Sequence, residues 1–344
     1  MSLSITRSVF ETLKTGEVVH KFIFSNGSMK ITMLDFGAHI WDIQCPDKNG
    51  TLEGITQSCT TIEDQLTLNN YYGATIGRYG NRIAKGVYKI DGIEYHAPIN
   101  NGDNALHGGI QGFDKHMWDT KVIMDNDQVG VEFSRVSADG EEGYPGEMHI
   151  TVAYTLNLKN ELSIDYKGTT TKPTIINMTN HTYWNLTGNC KDQIYDTELY
   201  INADKYLPVE DMIPINLGTP VKDTTFDFTT RRAMGPNVRA SDGGGKPGID
   251  HTYILNKEKE GELSLCAEAY EPVSGRHMTV YTTEPGVQLY TSNWIDKLPP
   301  WAPHYAFCLE THHAPNSPNV PEFPTTLLRP DQTYHTHTVY AFSW

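Results

Sequence analysis

Turn signals at short intervals constrain this 344-residue chain more than any other feature. Val18 to Phe24 meets Asn26-Gly27 and gives way to Met29 to Leu34; Val87 to Ile90 meets Asp91-Gly92 and gives way to Ile93 to His96. Asn-Gly and Asp-Gly supply the positive φ that tight hairpin turns require, so both stretches read as β-hairpins. Ile150 to Leu156 alternates apolar and polar residues, turns at Lys159-Asn160 and resumes at Leu162 to Tyr166. His277 to Thr282 and Val287 to Tyr290 repeat that pattern near the end. With 29 glycines and 19 prolines the chain is interrupted more often than a helical bundle tolerates. Only two short helices are expected, Thr61 to Leu66 and Asn293 to Leu298. No long linker divides the chain, and the glycine-rich stretch from Asp242 to Gly248 is short enough for a surface loop. The fold expected is all-β: one large antiparallel β-sandwich over residues 1–344, with two stacked β-domains as the alternative.

A formal charge of -15, with no basic run longer than Arg231-Arg232, argues against nucleic acid and anionic membranes as partners. Cys45, Cys59, Cys190, Cys266 and Cys308 are odd in number and contain no CxxC pair, which excludes a zinc ribbon and fits reduced, buried thiols. The stretch from Met1 to Lys14 lacks the apolar core of a signal peptide, and no segment has the length of a membrane span. A cytoplasmic protein is the expectation.

Chemistry concentrates in three clusters. His107 lies in Leu106-His107-Gly108-Gly109, where glycine permits backbone conformations and close approaches that side chains block; a turn histidine bonded to a carbonyl is the plain alternative. His181 lies in Asn180-His181-Thr182-Tyr183-Trp184-Asn185, and strand alternation would put Thr179, His181 and Tyr183 on one face. Aromatic rings beside hydrogen-bonding groups suit a sugar, which has an apolar face and a rim of hydroxyls; a core histidine satisfied by Asn180 or Asn185 competes with that reading. Glu310 follows the apolar run from Tyr305 to Leu309, so its carboxyl is expected to be buried. Burial raises such a group toward the range of a general base, unless Arg82 pairs with it in a salt bridge. Asp250 is a weaker candidate. His335 and His337 would share one side of a strand, but without HExxH or Cys/His spacing no metal is expected, and no phosphate loop is present.

Taken together, Gly77-Arg78-Tyr79-Gly80-Asn81-Arg82, Leu106-His107-Gly108-Gly109 with Gly112-Phe113-Asp114-Lys115, Asn180 to Leu186, Gly248-Ile249-Asp250-His251, and Cys308-Leu309-Glu310 with Pro315 and Ser317-Pro318-Asn319 resemble the aldose 1-epimerase, or galactose mutarotase, family. The blocks stand in the family's order and span most of the chain. The resemblance implies a large β-supersandwich and an isomerase that interconverts the α and β anomers of free aldoses such as galactose and glucose, with no cofactor. It implies Glu310 as the base on the C1 hydroxyl, His181 as the acid on the ring oxygen and His107 as a second histidine on the sugar. Asn81, Arg82, Asp250 and Gln288 match the positions that orient hydroxyls. Arg78, Tyr183 and Tyr290 are further candidates near the sugar. The small aldose is the expected partner of a monomer or weak dimer. This chain has His312 where glutamine is expected and Asn316 where aspartate is common.

Three other functions compete. A hexose-6-phosphate epimerase would need extra Arg or Lys at the sugar's C6 end, and no such cluster is visible. A glycoside hydrolase would use Glu310 and Asp250 as a carboxylate pair. A sugar-binding module would not need both His181 and Glu310.

Overall fold

Side chains of a strand point alternately to opposite faces, and along Met148–Asn157 and Glu161–Thr170 every second residue is buried in consequence. The computed structural model describes residues 2–295 and 301–344. In it these two strands pair antiparallel, with Tyr154 opposite Ile164. They belong to a nine-stranded sheet ordered Asp119–Met124, Gln128–Ser137, Met148–Asn157, Glu161–Thr170, Tyr334–Ser343, His277–Thr282, Ser264–Tyr270, Glu198–Ile201 and Arg232–Ala233. A five-stranded sheet runs in sequence order from Ser4–Thr12 to Leu52–Gly54. A second five-stranded sheet orders Thr219–Pro220, Lys205–Tyr206, Asp250–Ile254, Gly286–Tyr290 and Cys308–His312.

All three sheets turn apolar residues into one cluster. Phe22, Ile31 and Ile43 come from the first five-stranded sheet, Val131, Val152 and Tyr340 from the nine-stranded one, and Val287, Leu289 and Leu309 from the last. At roughly 1.5–3 kcal/mol for each large side chain removed from water, this cluster is the main force holding the sheets together. The fold is therefore the antiparallel, all-β arrangement expected. No helix among the described residues is long and apolar enough to cross a membrane.

Both hairpins at the turn dipeptides form, Val18–Ser25 with Lys30–Leu34 and Val87–Ile90 with Ile93–His96. The pair near the end does not. His277–Thr282 joins the nine-stranded sheet, whereas Gly286–Tyr290 pairs with Asp250–Ile254 and Cys308–His312, so the chain changes sheets around Glu284-Pro285. The expected first helix is Ile62–Leu68, capped by the Thr61 hydroxyl on the Asp64 N–H. The second expected helix falls partly outside the described residues, and Asn293 and Trp294 lie in a turn. A helix at Met234–Ala240 was not anticipated, because its sequence holds Gly235 and Pro236. Proline is tolerated in a first turn, where its missing N–H has no partner to lose, and Met234 and Val238 anchor the helix in the core.

Arg78, a candidate for the sugar's rim, points elsewhere. Its guanidinium is fully buried and donates to the carbonyls of Pro145, Gly146 and Ala138 and to the Ser137 hydroxyl, at 2.9, 2.9, 3.0 and 2.6 Å. It thus ties the loop between two strands of the large sheet to the segment that carries Asn81 and Arg82. Arg78→Met should strip several buried carbonyls of their donor and lower unfolding free energy by about 3 kcal/mol in urea titrations. The folded fraction should keep its affinity for ligand. An unchanged urea midpoint would show that these hydrogen bonds contribute nothing net.

Candidate active site

Register builds the floor of the site. In the ladder of Asp250–Ile254, Gly286–Tyr290 and Cys308–His312, Asp250 lies opposite Tyr290 and Tyr290 opposite Cys308. One step along, Thr252 lies opposite Gln288 and Gln288 opposite Glu310. Because the side-chain period of a strand is two, these rows share one face while Leu289 and Leu309 turn to the core. Thr252 donates to Gln288 Oε1, and Gln288 Nε2 donates to Asp250 Oδ1 at 2.6 Å. The amide of Gln288 is thereby oriented and in turn holds the Asp250 carboxyl.

The wall comes from two other segments. Arg82–Ile83 pairs with Ala105–Leu106, which sets His107 beside Asn81. The Asn81 N–H donates to His107 Nδ1 at 3.2 Å and the His107 N–H to the Asn81 carbonyl at 3.1 Å. Both residues have positive φ, 60° and 49°. The next residue, Gly108, has a φ of 87°, and a Cβ there would stand 1.9 Å from the Gly77 carbonyl oxygen, so only glycine lets the loop close. The third segment is not the continuous strand expected around His181. Thr179–Asn180 pairs with Thr75–Ile76 and Tyr183–Trp184 with Thr56–Gln57, with His181 at the break. Trp184 exchanges backbone hydrogen bonds with Phe307 at 2.7 and 3.0 Å, which lays this segment against the start of Cys308–His312.

A cavity of about 1180 Å³ lies over these elements, and Asn81, Arg82, His107, His181, Asp250 and Glu310 all line it. Gln288 does not line it and reaches the cavity through Asp250. Tyr183 and Tyr290 are in the wall. His181 Nε2 is 3.6 Å from Glu310 Oε1, both side chains are buried, and Glu310 Oε2 has no hydrogen-bond partner among the described residues. The His181 ring stacks against Tyr183 at 5.0 Å and Tyr71 at 5.9 Å, and meets His107 edge-on at 5.2 Å. Arg82 forms no ion pair with Glu310; its Nε donates to Asn101 Oδ1 at 3.1 Å. The Asp250 and Glu310 carboxyls both feel its charge.

Tyr71 was not anticipated, although a pair of tyrosines between Asn69-Asn70 and Gly73 is a turn that carries aromatic rings. The two departures at the end of the chain serve the scaffold. His312 Nδ1 engages the His313 carbonyl, and Asn316 Oδ1 accepts the Ala84 N–H at 3.0 Å, steadying the segment after Arg82. His335 and His337 flank Asp165 on the nine-stranded sheet, and neither lines the cavity.

Burial pushes the Glu310 carboxyl well above the usual carboxylate range, with Asp250 adding to the rise and Arg82 opposing it. Burial draws His181 down to about 3, against a hydrogen bond to its own carbonyl that works upward, and draws His107 well down, helped by His181 and Arg82. Burial also raises Asp250, against Arg82 and Gln288. A pair that carries one proton in total is neutral overall, so desolvation favours that state of Glu310 and His181. Such a pair can give a proton at one atom and take one at the other.

Donor atoms of His107, His181 and Glu310 lie within 4.8 Å of one another, a spacing that could collect a cation. The donor chemistry fits poorly. With Nδ1 of His107 engaged by the Asn81 N–H, the neutral ring carries its proton on Nε2 and presents a donor where a metal needs a lone pair.

A family profile described as aldose 1-epimerase matches residues 20–341. The chain is 40% identical to galactose mutarotase from Homo sapiens, over 99% of each chain. It is 36% identical to aldose 1-epimerase from Escherichia coli K12, over 92% of this chain and 93% of that one. Among solved structures it resembles a galactose 1-epimerase from Lactobacillus acidophilus, with a TM-score of 0.87 and 26% identity over 99% of both chains.

Because Arg82 faces the cavity and is not spent on an ion pair with Glu310, Arg82→Ala should cost ligand affinity far more than stability. Isothermal calorimetry with a sugar should show the loss, while the melting temperature should stay within about 2 °C of wild type, as for other half-buried positions off the core. A large fall in melting temperature would restore the structural role.

Proposed function

The chain belongs to the aldose 1-epimerase family and interconverts α and β anomers of aldoses, and from that premise we propose how its residues act on free hexoses such as galactose and glucose. Opening a hemiacetal needs one proton removed from the C1 hydroxyl and one delivered to the ring oxygen. The pair's one proton, which burial leaves on Glu310 in the free protein, first crosses to Nε2 of His181; Glu310 then takes the proton of the C1 hydroxyl, and His181 gives its own to the ring oxygen from Nε2. The bond from C1 to the ring oxygen breaks as the C1 carbonyl forms. Rotation about C1–C2 turns the other carbonyl face to the ring hydroxyl. His181 then takes the proton back, Glu310 returns the other to O1, and the opposite anomer leaves. Protons balance over the cycle and no electrons are exchanged. Each positioned group should contribute on the order of 10²–10⁴-fold.

The observation that carries this reading is the 3.6 Å approach of His181 Nε2 to Glu310 Oε1 in the wall of an open cavity. His107, with its proton on Nε2, donates to a sugar oxygen. Asn81, Arg82 and Asp250 orient hydroxyls, and Gln288 acts by fixing Asp250. Tyr183 and Tyr290 present ring surface to the sugar's apolar face. The cavity lining holds Arg82 and Lys85 against Asp103, Glu210, Asp211, Asp242, Asp250 and Glu310. That balance repels a phosphate and favours an unphosphorylated aldose. The same reading makes the protein a single domain over residues 1–344 and a cytoplasmic monomer or weak dimer, supported by the apolar cluster shared among sheets and by five buried cysteines.

Polarimetry of freshly dissolved α-D-galactose and α-D-glucose tests the reading directly. Glu310→Gln keeps the shape of the carboxyl but cannot accept the proton, so turnover should fall by about 10²-fold or more while calorimetric galactose affinity is largely kept. His181→Asn should behave alike, and the double variant should be little worse than the poorer single one, because the two act in one step. Near-wild-type turnover in Glu310→Gln would move the base to Asp250.

The pH profile adds a separate check. The working pair holds one proton, so kcat/KM should fall on the alkaline side as that proton leaves. On the acid side it should fall only as His181 takes a second proton, toward about 3. An acid limb centred at about 4.5, the ordinary value for glutamate, would show that Glu310 titrates like an exposed carboxylate.

A further inference from the structure

His181 is gripped at both ring nitrogens by one strand. Cys308 and Glu310 are two residues apart in Cys308–His312 and so share a face. Glu310 Oε1 stands 3.6 Å from Nε2, and Cys308 Sγ stands 3.5 Å from Nδ1. Cys308 is wholly buried and does not line the cavity, so it neither meets the sugar nor offers a thiol to solvent. The mechanism leaves its contact with the imidazole unused.

We propose that Cys308 is a positioning residue whose sulfur accepts the Nδ1–H of His181, keeping that proton on Nδ1 so that Nε2 alone exchanges a proton with the ring oxygen. The inference rests on the role of His181 given above. When His181 is the imidazolium, both nitrogens carry hydrogen, and Nδ1–H points to Cys308. Once Nε2–H has gone to the ring oxygen, the neutral ring must keep its remaining proton on Nδ1, because Nε2 has to take the proton back at reclosure. A neutral ring with its proton on Nε2 would be unable to do so.

Sulfur suits this place because it is a weak acceptor. A carboxylate in the same position would stabilise the imidazolium and make it a poorer acid toward an ether oxygen. The thiol fixes the tautomer and leaves the ring acidic. Burial and the charge of Glu310 hold Cys308 itself well above the usual thiol range, so it stays neutral. The ring of His181 also feels its own carbonyl, which limits what loss of the sulfur can cost.

Long-range ¹H–¹⁵N spectra of the full-length protein labelled at histidine read the tautomer without reference to activity, and His181→Asn identifies the resonance. In the wild type at neutral pH, Nδ1 of His181 should be of the protonated type and Nε2 of the lone-pair type. Protonated Nε2 with bare Nδ1 would overturn the proposal. In Cys308→Ala a population protonated at Nε2 should appear, and kcat should fall about 3- to 10-fold with KM unchanged, the worth of one weak neutral hydrogen bond. Cys308→Ser, whose oxygen also accepts, should recover part of that loss. An unaltered His181 tautomer in both Cys308 variants, whatever their rates, would overturn the assignment. Were His181 not the acid, His181→Asn would keep its turnover while the tautomer result stood on its own, so the two failures are distinct.

Discussion

The register of Cys308–His312 on Gly286–Tyr290 is the constraint on which the site depends. A slip of one residue would send Glu310 into the core and bring Leu309 to the cavity, because the face alternates at every step. Two features hold the register. Leu289 and Leu309 are buried in the central cluster, so a slip would cost their apolar contacts. The backbone exchange between Trp184 and Phe307 clamps the entry to the strand. Trp184 is itself fully buried against Tyr340 at 4.9 Å and Phe342 at 5.9 Å. The clamp is thus anchored in the nine-stranded sheet, and the position of the carboxylate is set by packing far from the cavity.

Holding Glu310 there works against stability. A carboxyl taken out of water costs several kcal/mol when it lacks full compensation, and no protein group among the described residues bonds Glu310 Oε2. The arrangement makes sense as a site whose satisfaction comes from a ligand. A hydroxyl placed at Oε2 supplies the missing donor, and the same desolvation strengthens every interaction of Arg82, His107 and Asp250 with it. The apolar surface buried by three sheets is large enough to carry one such group at a loss.

Much of this was legible in the chain. Asn26-Gly27 and Asp91-Gly92 located hairpins because tight turns demand positive φ, and that demand is local. The clusters at His107, His181 and Glu310 were legible because each sets unusual polar chemistry in an apolar or glycine-rich setting. Less visible was whatever depends on distant partners. The chain after Thr282 looks like a second hairpin, yet its two strands go to different sheets, since alternation gives the face of a strand and not its neighbour. Met234–Ala240 hid behind Gly235 and Pro236, whose poor propensity is outweighed by two buried anchors. Gln288 read as a ligand of the sugar because it lies on the active face. It lies opposite Glu310 and donates to Asp250 while its own side chain stays outside the cavity lining, an arrangement that spacing along a strand does not encode.

Arg78 and Arg82 show the same limit from the other side. They are four residues apart in one motif, carry the same charge, and do opposite jobs. Arg78 has its guanidinium closed over by acceptors from Ser137 and from the loop after it that joins two strands of the large sheet, and it fixes the segment. Arg82 has one neutral partner for its Nε and looks into the cavity, and it acts on whatever enters. An arginine whose donors are consumed by backbone carbonyls cannot serve a mobile ligand, and one left with free donors near a buried carboxyl lowers the cost of ionising it. What separates them is the supply of acceptors around each, which the fold decides by placing Gly146 and Ser137 over the first and open space over the second. In the mechanism proposed above, the motif offers one arginine to the sugar because the other holds the backbone still.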